Sequence, residues 1–276
     1  MSLLPPGARP TVLDLPGGPL AAHVQEPDGP ARATVLLVPG FTGSKEDFRL
    51  LLPPLAAAGL RAVAVDQRGQ YESPGPDDPA AYAVDALGAH LLQVAAALDG
   101  PVHLLGHSFG GLVSRSAVLQ DRAAFASLVL MSSGPGALGG SRADMMQFLR
   151  PLVEQGGLPA VRAAVEAVEA DDPQAQTVSQ DVRDFLRARF LAGSETGLLA
   201  MGDALLGEPD RVDELRGAGV RTLVLHGEDD DAWTPTSQAD MAVRLGAEHV
   251  VVTAAAHSPA IENAVDTTKA LLAFWG

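Results

Sequence analysis

Cysteine is absent from the 276 residues of the chain, which excludes disulfides and thiolate metal sites at once. That absence suits a reducing cytoplasm, the expected location. Lysine is nearly absent as well: Lys45 and Lys269 are the only two, and every other basic side chain is arginine. Acidic residues outnumber lysine and arginine by 34 to 19, a net charge of −15. A surface of that sign repels phosphate backbones, so no nucleic-acid partner is expected, and it also keeps a protein in solution. No uninterrupted apolar run approaches the ~18 residues of a membrane span. The opening stretch, MSLLPPGARP, lacks a basic segment followed by a long apolar one, so no secretory leader is expected. Internal repeats and low-complexity tails are missing too.

What is present is the composition of a globular protein, 47% hydrophobic and 19% charged. The length fits a single α/β domain, which at this size buries roughly three quarters of its unfolded surface and needs no covalent staple. Two short apolar runs, 11–15 and 20–25, flank a Pro-Gly-Gly turn and read as a hairpin. The runs at 33–38, 61–66, 101–107 and 126–133 are continuous and rich in valine and leucine, the pattern of strands buried on both faces. Helical spacing fills the intervals at about 46–58, 80–98 and 112–119.

The character changes over residues 134–217. Buried-strand runs stop, and arginine, glutamate and aspartate spread among alanine and leucine at helical spacing, as in 161–170 and 181–190. This is a helical insertion. Alternation resumes with a strand at 220–227, a helix at 236–245, a strand at 248–254 and a last helix from about 260 to 275. The fold class is therefore α/β, a mostly parallel central sheet with helices on both faces. In such sheets ligands bind outside the carboxyl ends of the strands, so residues just after strand ends carry the functional signal.

Ser108 occupies such a position. In LLGHSFGG (104–111) it follows a buried strand, precedes a helix and is flanked by Gly106 and Gly110. A nucleophile elbow needs a sharp strand-to-helix turn with strained backbone and small residues two before and two after the serine. A serine hydroxyl needs a base. Of seven histidines, His257 follows a strand at the same sheet edge, just before the last helix, and is the candidate base. His107 adjoins the serine but points away from its hydroxyl; His23, His90, His103, His226 and His249 lie in or beside strands and helices. An acid must fix the imidazole tautomer, and HGEDDDAWTP (226–235) offers Glu228, Asp229, Asp230 and Asp231 after another strand end. The oxyanion would be held by two backbone N–H groups, those of Phe109, next to the serine, and Phe41, in the loop after strand 33–38. The rings of Phe41 and Phe109 are expected to wall the site.

These residues resemble those of the α/β-hydrolase fold superfamily, in its esterase, lipase and haloperoxidase-like branch, over nearly the whole chain. GHSFGG resembles the nucleophile elbow and PGFTGS the oxyanion loop, with Pro39 where the family usually has histidine. DQRGQYES (66–73) resembles the D-x-R-G-x-G-x-S loop, with Tyr71 in place of the second glycine and Asp66 and Arg68 in structural roles. HGEDDD resembles H-G-x-x-D, which maps its aspartate to Asp230; Pro235 lies one position late, which leaves Asp231 as an alternative register. AAHSPAIE resembles the histidine loop. The resemblance implies a core of residues 1–133 and 218–276, a helical cap over 134–217, and a catalytic triad of Ser108, Asp230 and His257. It implies no metal and no organic cofactor. The reaction it implies is hydrolysis of an ester-like bond in a small molecule, carboxylic ester, lactone or thioester, through an acyl-enzyme. C–C bond hydrolysis and cofactor-free perhydrolysis or haloperoxidation on the same triad are alternatives, and a ligand-binding relative without activity is another. Trp233, Met145 and Phe148 are candidate pocket residues, with Met146 and Leu149 in the same apolar cluster. Nothing in the sequence fixes an oligomeric state.

Overall fold

A computed structural model describes residues 3–170 and 178–276. The strands are β1 (Arg9–Leu13), β2 (Leu20–Gln25), β3 (Ala33–Val38), β4 (Leu60–Val65), β5 (Val102–His107), β6 (Ser127–Met131), β7 (Thr222–Gly227) and β8 (Glu248–Val252). They form one sheet in the order β1-β2-β4-β3-β5-β6-β7-β8. The first two are a hairpin, and β2 runs antiparallel to β4; every other pair is parallel. All six residues of β3 are buried, and alternate residues serve opposite layers. Val35 and Leu37 pack with Leu52, Phe274 and Trp275 on one face, while Leu36 and Val38 pack with Leu104, Leu112 and Val113 on the other. A strand that must be apolar on both sides shows the continuous run seen in the sequence.

The covering helices are α1 (Leu52–Ala57), α2 (Val84–Ala96) and α3 (Phe109–Gln120) in the first half of the chain. Prolines 53 and 54 set where α1 begins: a residue without an N–H is tolerated in a first turn and not in an interior. The helix expected at 46–58 is therefore a tight turn at Lys45–Phe48 followed by the short α1.

Between β6 and β7 lies the helical segment that the spacing predicts, with residues 171–177 outside the described part. It contains α4 (Gly140–Ala170), α5 (Gln180–Leu191), α6 (Glu195–Gly207) and α7 (Val212–Ala218). α4 is bent at Gly157, whose φ of 65° an L side chain rarely adopts. The chain closes with α8 (Pro235–Leu245), the single turn α9 (Pro259–Glu262) and α10 (Ala264–Trp275). The last helix, expected to run unbroken from 260, is interrupted at Asn263, whose side chain accepts from the Asp266 amide and caps α10 (3.2 Å). Among the described residues no helix is long and apolar enough to cross a membrane.

Candidate active site

Ser108 makes the turn between β5 and α3 by itself, with φ 53° and ψ −123°. A non-glycine residue there costs about 1–3 kcal/mol and persists only if its surroundings dictate it. The dictating contacts are visible. Its N–H donates to the Met131 carbonyl of β6 (2.9 Å), and its carbonyl accepts from Gly111 (2.8 Å). A Cβ on Gly106 would sit 2.2 Å from the Gly110 carbonyl oxygen, and one on Gly110 would sit 2.4 Å from that of Pro39. The two glycines are thus required by backbone approach: α3 is pressed onto β5, and the loop after β3 onto α3.

His257 reaches the serine from the loop between β8 and α9. Its Nε2 lies 3.0 Å from Ser108 Oγ, and its Nδ1 lies 2.9 Å from Asp230 Oδ1. A carboxylate accepts, so Nδ1 carries the proton, and the bare Nε2 accepts from the serine hydroxyl. Asp230 is fully buried as a side chain. Its other donors are the Ala232 amide (3.0 Å, to Oδ1) and Gln238 Nε2 (3.0 Å, to Oδ2). Burial alone would raise its pKa, but the bonds from His257, Gln238 and Ala232 together hold it below the usual carboxylate value. Asp231 faces elsewhere: it makes a two-pronged pair with Arg142 of α4 at 2.9 and 2.6 Å. Of the two registers open in the sequence, the structure brings Asp230 to the imidazole.

A contact without sequence signal involves His107. Its Nε2 lies 2.7 Å from the His257 carbonyl oxygen, and the two rings are 5.0 Å apart. Since a carbonyl only accepts, His107 is the donor. Burial, and then the neighbouring His257, push its pKa down to about 4. His107 spends its Nε2 on that carbonyl and so pins the loop that carries His257. Gln67 and Gln70 are a second such finding. They donate to the carbonyls of Pro39 (2.9 Å) and Gly40 (2.9 Å), fixing the loop after β3 where a histidine is missing from the motif. Asp66 is buried beside Lys45 Nζ (2.8 Å), and Arg68 holds the carbonyls of Gly17 and Ala81; both are structural contacts.

A cavity of about 300 Å³ opens on Ser108 and His257. Phe41, Met146, Leu138 and Leu205 give it apolar walls, and Ser258, Ala260 and Ile261 line the histidine side. Phe41 is in place as a wall. The Phe109 ring is not, because it is fully buried in the core below the elbow. Trp233 is also buried, 5% exposed, and donates to the Gly136 carbonyl (3.2 Å); its neighbour Ala232 lines the cavity instead. Met145 and Phe148 lie on the outer face of α4, 47% and 72% exposed. The helix turns Met146, Leu149 and Val153 inward, a spacing of three and four residues. Among the described residues no group of three metal-ligating side chains gathers.

A family model described as the alpha/beta hydrolase family matches residues 35–270. The chain is 30% identical over 287 aligned positions to the polyketide synthase ThaQ of Burkholderia thailandensis, covering 99% of this chain but only 13% of that protein. Among solved structures, a thermophilic esterase from Thermogutta terrifontis superposes with a TM-score of 0.77 at 21% identity, covering 97% of this chain and 98% of the esterase. The enol-lactonase from Burkholderia xenovorans LB400 gives 0.77 at 20% identity, with 96% and 99% covered. At such identities the likeness of the two structures is one of fold.

Proposed function

The chain belongs to the alpha/beta hydrolase family, and from that premise we propose that it is a serine hydrolase of ester-like bonds, carboxylic ester, lactone or thioester, with Ser108 as nucleophile, His257 as base and Asp230 as the acid. The observation that carries this reading is the unbroken relay from Oγ through the imidazole to a buried carboxylate, at 3.0 and 2.9 Å. Ser108 Oγ adds to the carbonyl carbon while His257 Nε2 takes its proton. Asp230 stabilises the imidazolium that results. As the C–O or C–S bond breaks, His257 returns the proton to the leaving group. Water then adds to the acyl-enzyme with His257 again as base, and the acid departs as Ser108 recovers its proton.

The negative oxygen of each tetrahedral intermediate falls to the amides of Phe41 and Phe109. Phe109 opens α3, and the first N–H groups of a helix have no partner within it. The Gly40 carbonyl is held by Gln70, and in a trans peptide the following N–H points the opposite way. That fixes the Phe41 amide away from Gln70. The helices of residues 134–217 act as the cap over the core of 1–133 and 218–276. The cysteine-free composition fits work in the cytoplasm.

The test is labelling with a fluorophosphonate, followed by hydrolysis of p-nitrophenyl esters. The native protein should form one covalent adduct at Ser108, and Ser108→Ala should form none and lose at least about 10³-fold in kcat. A Ser108→Ala protein as active as the native one would end the proposal.

A further inference from the structure

A second chamber, about 590 Å³, lies within the helices α4, α5 and α6. It shares Phe41, Thr42 and Met146 with the serine cavity, so those side chains border both spaces. Its interior is built from Leu149, Val153, Val165, Phe190, Leu198 and Leu206. The charged groups on its rim are spent on one another: Arg150 pairs with Asp203, and Arg162 with Glu166 (2.9 Å) and Glu169 (2.6 Å). Among the described lining residues none is left over to recognise a charged ligand, so the surface suits a hydrocarbon.

The position of the chamber assigns the arm of the substrate it takes. The leaving group must lie near His257, which protonates it. The residues on that side, Ser258, Ala260 and Ile261, line the serine cavity and not the chamber. The shared residues are on the other side, with Phe41. We propose that the chamber is the acyl site, and that the substrates are esters or thioesters of apolar acyl chains too long for the serine cavity alone. This rests on the serine-hydrolase reading above.

Gly202 of α6 is the natural place to test it. A Cβ there would lie 3.5 Å from Met146 Cε and 3.7 Å from Phe41 Cζ, at ordinary contact distance from both shared walls. Gly202→Leu would extend a side chain against Met146 and Phe41, the walls that both spaces share, while improving the intrinsic helix propensity of α6. Val165→Trp would fill the chamber from α4 independently. Two series are measured: p-nitrophenyl esters from acetyl to decanoyl, and acetate esters of alcohols of the same lengths. In the native protein kcat/KM should rise about fourfold per added acyl methylene over the first several, the equivalent of ~0.8 kcal/mol each, and stay nearly flat along the alcohol series. Both variants should lower the decanoyl-to-acetyl ratio at least tenfold. A native ratio below one, a rise along the alcohol series instead, or a ratio unchanged in both variants overturns the acyl-site assignment while leaving ester hydrolysis intact. No turnover of any ester together with no fluorophosphonate adduct at Ser108 would overturn the underlying reading, and the assignment with it.

Discussion

Asp230 and Asp231 are adjacent acids with opposite surroundings, and replacing each by asparagine isolates what the buried one does. The Asp230 carboxylate receives three donors, His257 Nδ1 and the Ala232 amide on one oxygen and Gln238 Nε2 on the other. An asparagine has one oxygen to offer them. If that oxygen faces Gln238, the new NH₂ meets the imidazole, which must shift its proton to Nε2. The ring then presents a donor to Ser108 Oγ and can no longer act as base, a change worth about 10⁴ in kcat where the geometry is otherwise kept. If the oxygen faces His257, the tautomer survives, but a charge-assisted bond to the imidazolium is gone, worth about 1.5–3 kcal/mol, or roughly 10- to 150-fold. The NH₂ then faces Gln238 Nε2, which is itself held to the Trp233 carbonyl (2.7 Å). Asp230→Asn should therefore lower kcat by about 10- to 10⁴-fold, with the fold retained in thermal unfolding. Asp231→Asn breaks an exposed ion pair with Arg142, worth about 0–1 kcal/mol, and should change kcat less than about fivefold. Steady-state hydrolysis of one p-nitrophenyl ester by both purified variants is sufficient. Asp230→Asn within tenfold of the native rate, or the larger loss in Asp231→Asn, would refute the assignment of the acid.

Gly106→Ala should destabilise the protein by more than about 3 kcal/mol in denaturant unfolding, because its Cβ would lie 2.2 Å from a backbone oxygen and 2.5 Å from Ser114 Oγ; a loss under 1 kcal/mol would mean that the elbow is not closely packed. Acid should destabilise the fold through His107. With a folded pKa of about 4 against an ordinary 6.5, only the unfolded chain takes up the proton as the pH falls through that interval. The contribution is complete above pH 6.5 and declines by about 1.4 kcal/mol per pH unit down to about pH 4, roughly 3 kcal/mol in all. Burial lowers the pKa of His23, His90, His103 and His249 in the same direction. Asp66, whose pKa burial raises to about 6, acts in the opposite direction, so the slope is read as the difference in unfolding free energy between the native protein and His107→Phe across a series of pH values. That variant also frees the His257 loop and should cut kcat about tenfold with KM nearly unchanged; an unaltered slope and an unaltered kcat would dismiss the positioning role.

The three side chains of the relay were legible because Ser108, Asp230 and His257 lie one, three and five residues past the ends of β5, β7 and β8, and strand ends show in the sequence as the close of an apolar run. What was not legible depends on contacts from distant segments. Asp230 turns inward to donors that include His257, 27 residues away, while Asp231 turns outward to Arg142, 89 residues away on α4. Trp233, a large aromatic beside the acid loop, reads as a pocket wall. The carbonyl that captures its indole N–H lies at Gly136, 97 residues away. On α4 the phase is ambiguous because Met145, Met146, Phe148 and Leu149 are all apolar, so spacing alone cannot choose the inward face. Only the covering of Met146 by Phe41 and α6 decides it. The bond from His107 to the His257 backbone has no residue-type signature, since any residue at 257 would supply the same carbonyl.

The sheet edge and α5 are held by different forces. Ser108, His257 and Asp230 stand on a core whose strands are buried on both faces, so the strained turn at Ser108 is supported on every side. The insertion meets that core through apolar side chains of α6 and α7, Met201, Leu205, Val212 and Leu215, whereas the contacts near α5 are polar: Arg189 with Asp47 (2.6 Å) and the Ser194 amide with the Gly69 carbonyl (2.8 Å). α5 buries no residue. Ion pairs of this kind contribute little each, whereas apolar burial contributes about 25 cal/mol per Å². α5 is consequently easier to loosen than the sheet edge that carries Ser108. The proposed triad stands on the stiff element, and the chamber proposed for the acyl chain is enclosed by α4, α5 and α6.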